Sequence, residues 1–149
     1  MEQAFKLAKK VLTLDESNSH VYDLLSWLYL LTREHEKAIA AAEKSVDLNP
    51  NHAMSYMFLG RALKLAGRYQ EAVDNFKKGL RVDPLNPFWN FVQLCTTNRM
   101  IGRYDEAIAY CEPDQSEPRF REGGYSSFKQ MRILGFPAIF VLTLDVISG

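Results

Sequence analysis

Three histidines, two cysteines and a few paired carboxylates are the side chains best suited to chemistry in this chain. A helical metal site needs two histidines one turn apart, so that both rings leave the same face. His20, His35 and His52 offer no such pair. His20 and His52 fall near the starts of helical segments. His35 stands where later copies of the same segment carry Tyr69 and Tyr104. All three read as structural or surface residues. Cys95 and Cys111 are too far apart for a CxxC pair and have no histidine at zinc-like spacing. They are expected to be reduced thiols packed as small apolar groups, not a disulfide framework. Glu34 with Glu36, and Asp105 with Glu106, sit at helix starts, where the helix dipole favours negative charge. No phosphate-binding GxxxxGK[ST], no GxGxxG and no nucleophile-elbow GxSxG occurs. The expected catalytic, cofactor and metal residues are therefore none, and the chain reads as a non-enzyme.

Composition narrows the partner. Of 149 residues, 47% are apolar and 24% charged, which fits a folded globular chain. Lys plus Arg balances Asp plus Glu at 18 each. Phosphate neutralisation needs a basic excess, so neither nucleic acid nor a polybasic membrane contact is expected. The N-terminus, Met1 to Lys6, lacks the apolar stretch of a secretory signal. The longest apolar run, Phe136 to Leu144, is broken by Pro137 and Thr143 and is too short to span a bilayer. A cytoplasmic location is the default expectation.

The positioning elements emerge when the chain is slid along itself. At an offset of 34, Tyr22 falls on Tyr56, Leu25 on Leu59, Ala38 on Ala72, Val46 on Leu80 and Pro50 on Pro84. At an offset of 35, Tyr56 falls on Phe91, Leu59 on Leu94, Gly67 on Gly102 and Ala72 on Ala107. Backwards by 34, Ala38 meets Ala4 and Ala42 meets Ala8, so the chain opens on the second helix of a unit. Each unit reads as two amphipathic helices. Ala53–Ala66 spaces Tyr56, Leu59 and Leu63 along one face, Gly67 caps it, and Tyr69–Val82 follows until Pro84 stops it. Ala38, Ala72 and Ala107 permit close helix crossing, with Ser26 and Gly60 small at a second contact.

Tyr56, Leu59, Gly60, Ala72, Phe76, Gly79 and Pro84, with the GRYQEA and GRYDEA segments at Gly67 and Gly102, resemble the tetratricopeptide repeat family over Met1 to Glu112. The resemblance implies an all-α, right-handed α-solenoid of tandem helix–turn–helix repeats, here with an irregular C-terminal tail. The expected division is a truncated repeat's second helix over 1–18, repeats over 19–52 and 53–87, a degenerate repeat over 88–118, and a non-repeat tail over 119–149. The resemblance also implies that first helices line a concave, peptide-binding face. On that face the sequence places Trp27, Met57, Arg61, Lys64, Trp89, Val92 and Arg99. Apolar anchors among cations suit a peptide with apolar side chains and an acidic group. The alternative is that Trp27 and Trp89 complete packing between repeats while the cations are solvated. Repeats that grip the acidic C-terminus of heat-shock chaperones use Lys and Asn where this chain has Asp23 and Trp27, so no such clamp is expected.

Pro113 and Pro118 should stop the last helix early. The tail beyond has three open readings: a cap on the array, a poorly ordered or interrupted piece of a longer protein, or an interaction segment. Uncapped repeat ends also leave self-association open. The function read from the sequence is a protein–protein interaction scaffold. The alternative is a regulatory or accessory segment of a larger multidomain enzyme, such as a bacterial nucleotide cyclase or transferase.

Overall fold

The computed structural model describes residues 1–84 and 88–111. All regular structure among them is helical, as the repeat pattern requires. The chain divides into two compact units, Met1–Val82 and Asp83–Gly149. The first holds α1 (Glu2–Leu14), α2 (Ser19–Leu31), α3 (His35–Leu48), α4 (Ala53–Leu65) and α5 (Tyr69–Val82). In the second, α6 (Phe88–Met100) and α7 (Tyr104–Cys111) are described. The expectations for the tail and for an early stop after Glu112 lie outside the described residues. No helix among the described residues is long and apolar enough to cross a membrane.

Within the first unit the helices stack as hairpins. α2 packs on α3 and α4 on α5; α3 also meets α4, α2 meets α4, and α1 lies against α2. Ala8 from α1, Val21 and Leu25 from α2 and Ala41 from α3 form one buried cluster, with Phe5, Tyr22 and Tyr29 against it. Phe5 and Tyr29 lie with ring centroids 5.1 Å apart. Helix α1 thus covers a face that α2 would otherwise leave to solvent. Such mutual covering is what stabilises arrays whose single hairpins have no core of their own.

The turn after each first helix is built identically. Gly67 and Gly102 have φ of 80° and 77°, and Arg33, at the equivalent place, has φ of 60°. In each turn this residue's N–H donates three residues back, and the next N–H donates five back: Gly67 to Lys64 and Arg68 to Leu63, for example, at 3.1 and 2.9 Å. This left-handed cap satisfies carbonyls that the helix end would leave orphaned. Glycine adopts it freely, whereas a side chain there is strained. Arg33→Gly should therefore stabilise the first unit by about 1 kcal/mol, the lower end of the left-handed penalty. A thermal melt should show this as a rise of about 4–8 °C. An unchanged or lower midpoint would mean that the exposed Arg33 side chain offsets the strain.

A second recurring feature is the crossing of the two helices. Gly60 and Phe76 meet there: a β-carbon on Gly60 would fall 2.7 Å from Phe76 Cδ1 and 2.8 Å from its Cζ. Phe76 is fully buried. Shifted by one repeat, the same two positions hold Ser26 and Ala42 on one side and Cys95 and Cys111 on the other. Cys95 and Cys111 are joined by a disulfide, with Cα atoms 5.2 Å apart. The expectation of two reduced thiols is thereby corrected. The turn folds two sequence-distant positions onto one crossing, and 5.2 Å lies inside the range a disulfide can bridge.

Candidate functional site

The residues expected on the first-helix face divide according to their place in the repeat. Trp27 on α2 and Arg61 on α4 occupy equivalent positions and meet: the Arg61 guanidinium carbon lies 4.3 Å from the centre of the Trp27 ring. The ring's negative face attracts the cation, and a partly exposed pair of this kind contributes roughly 0.5–2 kcal/mol. Trp27 also stands edge-on to Phe58, with centroids 6.4 Å apart. The tryptophan thus serves packing between α2 and α4 as well as presenting a surface. Leu31 and Leu65, at the far ends of the same two helices, are exposed, as is Met54 near the start of α4.

Met57 and Lys64 are only 5% exposed, which narrows the open face the sequence suggested. Met57 occupies the repeat position of Asp23, and both are buried. Opposing the helix's own partner is therefore not the same as facing solvent, because part of that surface meets an adjacent helix. In the second unit Trp89 and Arg99 are exposed and Val92 is buried.

Asp23 shows where that buried position leads. Instead of pointing outward as a charge that repels ligands, it turns toward α4. Its Oδ2 accepts a hydrogen bond from Ser55 Oγ at 3.2 Å and lies 3.3 Å from His52 Nδ1. Ser55 Oγ is in turn 2.8 Å from Ser45 Oγ and 3.1 Å from His52 Nδ1. Ser45 donates to the Ser19 carbonyl at 3.0 Å, so a residue of α3 ties together the N-terminal ends of α2 and α4. Asp23 Oδ1 has no hydrogen-bond partner. Burial pushes the Asp23 carboxyl above its ordinary range, against the lowering pull of the Ser45 and Ser55 hydroxyls and of His52 and His20. His20 completes the group, its ring edge-on to that of His52 with centroids 4.7 Å apart.

Sequence spacing missed this cluster. His20 and Asp23 are three apart on one helix, a same-face spacing, but His52 arrives from the next repeat. The signal that would have found it is the repeat register, which lays the start of α4 beside the start of α2.

Known proteins resemble this chain in both sequence and fold. Residues 1–79 match the family model described as "Anaphase-promoting complex, cyclosome, subunit 3". The small glutamine-rich tetratricopeptide repeat-containing protein 2 of Mycosarcoma maydis is 43% identical over 53 residues, 36% of this chain and 15% of that protein. The STIP1 homolog of Dictyostelium discoideum is 32% identical over 83 residues, 56% of this chain and again 15% of that protein. The aligned part thus spans a small fraction of these relatives' own length. Among solved structures, one of MamA superposes with a TM-score of 0.64 at 22% identity, covering 95% of this chain and 84% of that one, a likeness of fold.

Proposed function

Since the chain belongs to the tetratricopeptide repeat proteins, within the family of anaphase-promoting complex subunit 3, we propose that it is a protein-interaction scaffold whose first helices α2 and α4 hold a peptide of its partner. The observation that carries this reading is the Trp27–Arg61 pair on adjacent first helices. A cation fixed over an aromatic ring gives a bound peptide an apolar wall and a counter-charge at one place. Exposed Leu31 and Leu65 extend the apolar part. The peptide class that fits has apolar anchors and at least one carboxylate. The pair is already held by its own attraction, so little side-chain freedom is lost on binding. In the second unit the exposed Trp89 and Arg99 of α6 are a separate proposal of the same kind, with Val92 buried beneath them, at the first-helix positions that Met54, Lys64 and Met57 hold one repeat earlier.

Selection from a displayed peptide library tests it. Peptides retained by the parent protein should be rich in acidic and apolar residues. Their affinity should fall at least about tenfold, or ~1.4 kcal/mol, in both Trp27→Ala and Arg61→Glu. Far-UV circular dichroism should be unchanged in both variants. Selected peptides that bind both variants as well as the parent would refute the α2–α4 face as the site.

A further inference from the structure

The geometry points to a divalent transition-metal site formed by His20, Asp23 and His52, at the N-terminal ends of α2 and α4. One ligand atom from each of the three residues can be chosen so that all lie within 4.8 Å of one another. His52 Nδ1 and Asp23 Oδ2 are already 3.3 Å apart. That matches the edge of a tetrahedron whose metal–ligand bonds are about 2.0 Å. His20 is exposed, and its ring already stands edge-on to that of His52 with centroids 4.7 Å apart.

A hydrogen-bonded staple alone does not account for the cluster. Asp23 is 4% exposed, and its Oδ1 is a buried oxygen with no donor. A carboxylate buried with one oxygen unpartnered is costly, and a cation on Oδ2 relieves it by neutralising the charge that both oxygens share. Ser55 donates to Asp23 Oδ2 and so serves as an outer-shell partner that orients the carboxylate. The donor set, two imidazoles and one carboxylate, selects a borderline ion such as Zn²⁺ or Co²⁺ over Ca²⁺ or Mg²⁺, which prefer oxygen ligands. Three protein ligands with one side toward solvent leave the fourth position to water. The positive ends of α2 and α4 oppose a cation here, but only modestly beside three inner-sphere bonds. Bound metal would lock α2 to α4 at the end of the hairpins, independently of what the Trp27–Arg61 face binds.

The test is titration of the full chain, first stripped with a chelator, with Zn²⁺ by calorimetry and with Co²⁺ by visible absorption. No thiol reductant is added, so the disulfide stays closed and the cysteines do not compete. The expected result is one ion per chain, with Co²⁺ bands of a four-coordinate nitrogen–oxygen site. His20→Ala and His52→Ala should each weaken binding by at least about tenfold, the smallest loss seen even for an outer-shell partner. His35→Ala should bind as the parent does. His20 is exposed, so its replacement leaves the fold intact, which circular dichroism checks. No one-to-one binding by the parent would overturn the assignment. So would binding that survives either His20→Ala or His52→Ala.

Discussion

Phe76→Ala should destabilise the first unit by about 3–5 kcal/mol, the usual cost of truncating a fully buried phenylalanine. The ring fills the space that Gly60 leaves at the α4–α5 crossing, where it lies against a residue with no side chain of its own. A glycine backbone cannot swing in to close the cavity, so the loss should sit toward the upper part of that range. Against a total stability of about 5–15 kcal/mol for a domain, such a loss is a large fraction of the whole. Urea unfolding followed by helical signal measures it. A loss below about 1 kcal/mol would mean that α4 and α5 close the gap by sliding, and that the crossing is not fixed by Gly60 and Phe76.

The second large effect belongs to the other unit. Opening the Cys95–Cys111 disulfide, by reduction or by Cys95→Ser with Cys111→Ser, should lower the stability of the α6–α7 hairpin by about 3 kcal/mol. That figure is the chain-entropy estimate for a closed loop of roughly 15 residues. Cys95 lies on α6 and Cys111 on α7, so the cross-link joins the two helices of the hairpin directly. Amide exchange resolves the two units: reduction should raise exchange in α6 and α7 and leave α2 to α5 unchanged. Equal protection with and without reductant would show that packing alone holds the hairpin.

The fold was legible because the repeat writes the same physical solution several times. Tyr69–Val82 is a helix over the range its apolar spacing indicated, and the α4 boundary differs by one residue at Ala66. Gly67 and Gly102 announce their left-handed turns by residue type. Arg33 does not, and only its place one repeat earlier reveals that it does the same work under strain. The disulfide was hidden for a related reason. Cys95 falls on the repeat position of Gly60 and Cys111 on that of Phe76, so the pair lies at one crossing. Spacing of cysteines along the chain carries no such information.

The candidate site was legible only in part. Trp27 and Arg61 were placed on one face by helical spacing, and stacking brings them together. Met57, Lys64 and Val92 share that spacing but are buried. A helical wheel distinguishes one side of a helix from the other; it does not say which part of the outer side a neighbouring helix covers. The His20–Asp23–His52 group fell between two repeats, where neither helix alone shows the set.

Whether α2 and α4 jointly offer Trp27 and Arg61 to a peptide can be read from two-dimensional NMR of the labelled chain, titrated with a peptide from the library selection. The largest shifts should fall on the Trp27 indole N–H, the Arg61 side chain and the amides around Leu31 and Leu65. Shifts confined to α3 and α5, with the Trp27 indole unmoved, would place the peptide elsewhere and remove the proposed face.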